Sequence, residues 1–486
     1  MPSGCKVHSH IVDSRFFRRG YCTDEARRIF CDFRRLQRWL EVEVALANCQ
    51  AELGIIPGEA ASELTRTAHL EQLDLKAIQS DIARTGHSLI PLLNAWQKVS
   101  SPEAGQYIHF GPTTQDIQDT AQILEVRDAL DLIERDLGTV IRELSQLASK
   151  HRDLAIIGRT HGQHALPTTL GLKIAIWLDE ALRNFDRLRQ LRERVLVSQL
   201  FGGVGTMASL SPKGITLLAN FSARLGLAAP DTAWHGARDR LVEFTTTLAT
   251  LMGSLGKIAN EICQLARNEI GEFEEPFHQG KIGSSTMPHK RNPELCEQVV
   301  VLAKLVKSNA SLAFDTLINE HERDYRSVRL EWITITESSL FTCGALNLMR
   351  AILKNLIVHE DRIGANLERA ACLVSTEALM FLLAEKIGKQ NAHHLIYQAS
   401  MQTHATQGSL LELLMEQPEV RANFSPDLLT QAISPANHIG LAQQLTDQVV
   451  AKANLRFPGP PPALGPTVSC PLAGHQGCPG ERDFGA

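Results

Sequence analysis

The sequence predicts an all-α protein built on a bundle of long helices, and three observations carry that prediction. Proline costs a helix interior about 3 kcal/mol, and none occurs between Pro167 and Pro212, between Pro230 and Pro276, or between Pro293 and Pro418. Two apolar series advance by threes and fours without a miss. One is Ile123, Val126, Leu130, Ile133, Leu137, Val140, Leu144 and Leu147; the other is Leu241, Phe244, Leu248, Leu251, Leu255, Ile258, Ile262 and Leu265. Each draws one stripe along a helix of about seven turns, which must pack on similar helices. Nothing comparable alternates with the period of two that a half-buried strand requires.

In chain order, residues 1–115 read as a smaller helical domain, with FRRLQRWLEVEVALANCQAELG as its clearest helix and Gly54 near the stop. Residues 116–365 hold the long helices of a central bundle. Residues 366–455 form a third domain of shorter helices, including STEALMFLLAEKIG. Residues 456–486, which include FPGPPPALGPTVSCPLAGHQGCPGERDFGA, are rich in Pro and Gly and read as a disordered tail, since such a segment buries little apolar surface. Its Cys470, His475 and Cys478 are only three candidate ligands with no repeated motif, which argues against a metal site there.

Composition narrows the function classes. The 486 residues are 44% apolar and 21% charged, with a net charge of -5, as expected of a globular protein with a large core. That charge argues against a dedicated nucleic-acid binder, and the basic pairs Arg18-Arg19 and Arg34-Arg35 sit in helix-like sequence. No apolar run approaches the roughly 20 residues that span a bilayer. The N-terminal MPSGCKVHSH has no apolar signal region. Scattered cysteines in so long a chain read as reduced thiols, so the expected compartment is the cytoplasm.

Three polar, turn-forming segments stand out from this helical background. The most specific is GKIGSSTMPHKRNPELCE, Gly280 to Glu297. Its glycines allow the backbone to move, and Pro288 and Pro293 punctuate it before a new helix. Ser284, Ser285, Lys290 and Asn292 beside a helix N-terminus suit the binding of a carboxylate. The others are YIHFGPTTQDIQDTA, Tyr107 to Ala121, and GRTHGQHALPTTLG, Gly158 to Gly171. His161 and His164, three apart, invite a metal-pair reading on a helix. No acidic partner follows at the right spacing, and Pro167 intervenes, so no metal is expected.

GSSTMPHKRNPE closely resembles the signature loop of the fumarase/aspartase superfamily. Its PHKRNP form looks like the branch that holds adenylosuccinate lyase and 3-carboxy-cis,cis-muconate cycloisomerase. The segments at 107–121 and 158–171 are similar to that family's first two conserved regions, and the likeness runs from Arg15 to about Leu445. It implies a homotetramer in which three subunits contribute to each site, a small dicarboxylate substrate, and no cofactor. It also implies roles: Ser285 as the base, His161 as the acid, and Glu297 as the carboxylate that orients His161. Thr113, Thr114, Thr160, Gln163, Ser284, Met287, Lys290, Asn292, Arg238 and His87 are the implied substrate contacts, with His109 placed nearby.

The chemistry asks for such groups. Splitting a substituted succinate removes a weakly acidic proton beside a carboxylate, and the carbanion survives only if fixed donors and a cation hold that carboxylate. A serine is a poor base unless its surroundings are cationic and dry, whereas a histidine near neutrality suits a general acid. WHGARDRLVEF and LEWITI look like the cycloisomerase subgroup, yet His161 is retained, which favours elimination. The phosphate ligands of adenylosuccinate lyase are not evident: Gly20-Tyr21 stands where an Arg-Tyr pair is expected, and Val328 to Trp332 replaces its Ser and Arg, although Arg326 and Arg329 lie near. The expected activity is a fumarate-releasing C–N lyase acting on an N-substituted aspartate or related nitro- or hydrazino-succinate. Cycloisomerisation, or a non-catalytic structural relative, is the alternative.

Overall fold

The computed structural model describes residues 9–460 apart from 278, 279 and 407, with the side chains of 371, 372, 404 and 406 also outside the description. Cys470, His475 and Cys478 lie outside the described residues. An N-terminal helix, α1 (Asp32–Glu52), leads to five long ones: α2 (Thr114–Lys150), α3 (Leu170–Val195), α4 (Asp239–Leu265), α5 (Glu294–Ala313) and α6 (Tyr325–Lys354). The two apolar stripes fall on α2 and α4. The stripe on α2 is completely buried from Ile123 to Leu144, and every stripe residue on α4 is at most 1% exposed. Among the described residues, no helix is long and apolar enough to cross a membrane.

Cross-links fix the direction of each helix. Arg192 of α3 reaches Asp131 of α2 at 2.5 Å, and Lys173 of α3 reaches Glu261 of α4 at 2.7 Å, so α3 runs against both. Gly256 of α4 packs so closely on Ala303 of α5 that a Cβ would lie 2.9 Å from the alanine methyl. Gln122 of α2 meets Glu331 of α6 at 3.3 Å, and Asp136 meets Arg350 at 3.1 Å, so these two run parallel. One end of the bundle therefore collects the starts of α2, α4 and α6, and the other collects the starts of α3 and α5.

One element was not expected. Residues between α2 and α3 form an antiparallel hairpin, β1 (Ala155–Thr160) and β2 (Gln163–Thr169). Its strands are irregular: the register shifts at Gly158, where a Cβ would lie 2.6 Å from the Leu166 carbonyl oxygen, and Pro167 occupies a paired position. His161 and Gly162, with φ of 52° and 74°, form its two-residue turn. A second small pairing joins β3 (Phe273–Glu274) to β4 (Ile357–Val358).

Beyond α6, shorter helices bury their own apolar cluster, with Leu379, Leu383, Leu410, Leu414, Val420 and Leu429 at its centre. The last helix, α7 (Ala442–Arg456), returns to the bundle, where Asn454 bonds to Ser145 at 2.9 Å and Asp447 to Arg152 at 2.7 Å.

Two residues assigned to the tail need correction. Arg456 ends α7, and Phe457 is 9% exposed, its ring edge-on to Phe185 at 4.8 Å. Composition had grouped Phe457 with the Pro/Gly run, but an apolar ring beside Gly138 is a core contact. Phe457→Ala should lower unfolding free energy by about 3 kcal/mol, read as a lower denaturant midpoint. An unchanged midpoint would remove this contact from the core.

Candidate active site

The first segment is held rigidly at the start of α2. The backbone N–H of Thr113 donates to Asp116 at 2.9 Å. Asp116 is wholly buried, and it also accepts from the N–H groups of Phe201 (3.0 Å) and Gly202 (2.8 Å) and from His235 Nε2 (2.8 Å). Arg323 Nη2 donates to Thr113 Oγ1 at 3.0 Å. Arg323 was absent from the expected set; its signal was the charged HERD stretch, 321–324, just ahead of α6. Thr114, the first residue of the helix, is half-buried.

His87 lies beside this end. Its Nδ1 accepts from the N–H groups of Leu89 (3.3 Å) and Ile90 (3.1 Å), so the neutral ring carries its proton on Nε2. Ser88 Oγ is 2.7 Å from Gln118 Nε2 on α2 and 3.2 Å from the Tyr325 hydroxyl. His109 is turned away from this surface, its Nδ1 2.6 Å from buried Glu43. Burial works to lower the imidazole pKa, but the bond and charge of Glu43 outweigh it and hold His109 above its ordinary value. Its task is to brace the loop leading to Thr113.

Thr160, His161, Gln163 and His164 sit exposed at the hairpin tip. The two histidines therefore do not share a helix face. Below the tip, Arg159 makes a bidentate pair with fully buried Glu272, at 2.6 and 2.9 Å, tying the hairpin to the chain leading into β3.

The loop of 280–297 is shaped by its own polar groups. A Cβ on Gly283 would lie 2.1 Å from the Lys290 carbonyl oxygen, so that crossing requires glycine. Asn292 Nδ2 donates to the Gly283 carbonyl at 2.7 Å, and Ser284 Oγ accepts from the Met287 N–H at 3.0 Å. Asn292 and Ser284, expected to meet substrate, are thus engaged in holding the loop. Glu275 anchors its base through Lys281 (2.6 Å) and the Cys296 N–H (2.9 Å). Ser285 and Lys290 are exposed, and their side chains have no hydrogen-bond or ionic partner among the described residues. Met287 and Glu297 are exposed as well.

The three segments do not meet within one chain. The 37 residues of α2 separate Thr114 from Lys150 by about 55 Å, with the first segment at one end and the hairpin beyond the other. Among the described residues, no hydrogen bond joins Thr113, His161 and Ser285, nor His161 and Glu297.

Comparison with known proteins fixes the family. A model described as "Lyase" matches residues 18–307, and one described as "Adenylosuccinate lyase C-terminus" matches 373–449. The chain is a lyase of the fumarase/aspartase superfamily. It is 41% identical over 446 residues to N-acetyl-S-(2-succino)cysteine lyase of Dickeya dadantii, covering 92% of this chain and 98% of that one. It is 36% identical over 453 residues to adenylosuccinate lyase of Methanocaldococcus jannaschii, covering 93% and 97%. The solved 3-carboxy-cis,cis-muconate lactonizing enzyme of Pseudomonas putida superimposes with a TM-score of 0.85 at 37% identity, covering 92% of this chain and all of that one.

One expected substrate contact of this superfamily member is placed elsewhere. Arg238 is completely buried, with Nη1 and Nη2 on Asp119 at 2.8 and 2.9 Å and Nε on Glu331 at 2.7 Å. Burial opposes its charge, but the two carboxylates more than offset that and keep the guanidinium protonated. With every donor engaged, Arg238 braces the starts of α2, α4 and α6 and has no face left for substrate. Arg238→Met leaves two buried carboxylates unpaired and should cost about 3–5 kcal/mol of stability, measured by denaturant unfolding. Unchanged stability with a raised KM would return Arg238 to the substrate.

Proposed function

We propose that this lyase releases fumarate from a succinate carrying a heteroatom substituent at C2, with a cysteine-type thioether as the favoured substrate and an N-substituted aspartate as the second. The observation that carries the reading is the state of the loop: the side chains of Ser285 and Lys290 stand exposed and without a partner among the described residues, while their neighbours Ser284 and Asn292 are tied down. Ser285 takes the proton from C3. Lys290, with Thr113, Thr114 and the N-terminus of α5, carries the charge that develops on the adjacent carboxylate. His161 protonates the leaving atom.

The choice of thioether rests on two supports. The relative at 41% identity acts, by name, on a succinylated cysteine. Two of the cations near a nucleotide-phosphate position are also engaged, leaving Arg329 alone available there among the described residues: Arg18 pairs with Asp24 at 3.3 Å, and Arg326 pairs with Glu320 and Asp324 at 2.9 and 2.8 Å.

Each site is shared among copies of the chain, in the homotetramer that the family resemblance implies. The 55 Å separation supports this, as does a second apolar stripe on α5: Val301, Leu305 and Leu312 are 42%, 36% and 36% exposed, about 100° around the helix from buried Leu302 and Val306. Such a stripe matches a helix packed on two sides.

Fumarate formation should be followed with S-(2-succino)-N-acetylcysteine, adenylosuccinate and argininosuccinate, with carboxymuconate as the cycloisomerase arm. Release from the thioether is expected; turnover of carboxymuconate alone would replace elimination with cycloisomerisation. A thiol, with a pKa near 8.5, leaves as an anion far more readily than an amine. His161→Asn should therefore reduce kcat/KM on an N-linked substrate about 100-fold or more, and on the thioether much less. Equal losses would reduce His161 to a binding group.

A further inference from the structure

One cation at the first-segment end stands apart from its neighbours. Arg329 is exposed on α6, and its guanidinium lies 4.9 Å from the Tyr325 ring centre and 5.6 Å from that of Trp332. It has no carboxylate or hydrogen-bond partner among the described residues. The arginines around it are engaged: Arg35 with Glu125 at 3.0 Å, Arg326 with two acids, and Arg323 with Thr113. A guanidinium held between two aromatic rings that lie edge to face makes no hydrogen bond to them, so its N–H groups stay free and form a fork that fits a carboxylate.

The platform is rigid and well placed. Trp332 packs against Trp39, with ring centres 6.5 Å apart, and Tyr325 reaches Ser88 at 3.2 Å, next to His87. Tyr325 also follows Arg323, which holds Thr113. The face formed by Tyr325, Arg329 and Trp332 therefore flanks the candidate substrate residues at this end, away from Lys290 at the start of α5.

We propose that Arg329 is a specificity-determining residue that clamps a carboxylate on the leaving group, so that the preferred substrates are succinyl adducts of amino-acid-like thiols or amines and not of simple thiols. This rests on the elimination proposed above. In that reaction Ser285 accepts the C3 proton, the C3–H electron pair becomes the C2=C3 bond of fumarate, the C–S bond breaks with its pair going to sulfur, and the thiolate, protonated by His161, keeps its carboxylate on Arg329.

The test pairs two substrates that differ only in that carboxylate: S-(2-succino)-N-acetylcysteine and S-(2-succino)-N-acetylcysteamine. The wild-type enzyme should favour the first in kcat/KM by about 10- to 100-fold, the size of a charge-assisted hydrogen-bonded pair. Arg329→Gln should abolish most of that preference by raising KM on the first substrate, while its loss on the second stays below about threefold. Arg329→Lys, which keeps the charge and loses the planar fork, should fall between them. Equal losses on both substrates, or none on either, assign Arg329 to packing on Tyr325 and Trp332 and overturn the proposal. Fumarate from neither substrate with the wild-type enzyme defeats the elimination reading first, and this inference with it.

Discussion

The length of α2 governs how this protein can work. A helix of 37 residues is stiff, and α3 and α6 clamp it along its length through paired side chains such as Arg192 with Asp131 and Arg350 with Asp136. The cap holding Thr113 and Thr114 thus cannot approach the hairpin that carries His161. The same rigidity keeps the first segment and the hairpin apart within a chain. The homotetramer proposed above would bring both ends of the bundle to one substrate, and the exposed apolar stripe on α5 is the surface expected of it.

Buried charge supplies the precision at the first end. Arg238 joins Asp119 to Glu331, while Asp116 gathers donors from the chain at 201–202 and from His235. Removing any one of these charges leaves its partners uncompensated in a medium that solvates them poorly, so the network specifies one arrangement of three helix starts. Around it, Arg18, Arg323 and Arg326 are already engaged while the Arg329 guanidinium is available, a division that supports the proposed carboxylate-bearing leaving group.

Much of this was legible in the sequence. The stripes on α2 and α4 and the long proline-free tracts gave the bundle, because helical periodicity over seven turns has no competing reading. The three segments marked a candidate site, because they are polar, turn-forming and set at helix ends, and because they resemble the family's conserved regions. The hairpin was missed because its strands are short, exposed at the tip, shifted at Gly158 and interrupted by Pro167, which erases the alternation that marks a strand. Arg238 was misassigned for a different reason: burial and pairing with Asp119 and Glu331 depend on three distant segments, which no local pattern records. Arg323 had a visible signal in HERD, but only its contact with Thr113 gives it a role.

The central claim is that no single chain holds a complete site. Complementation between two inactive variants measures it most directly. Thr114→Val and His161→Asn, each purified and impaired, are mixed, dissociated and reassociated, and assayed for fumarate release from the substrate that the wild type prefers. If the threonine and histidine of one site come from different copies, the mixture should recover activity well above that of either parent, because some sites receive both intact groups. Activity no higher than the average of the parents, in a mixture shown to contain hybrid assemblies, would place the threonine and histidine of each site in one chain and contradict the account.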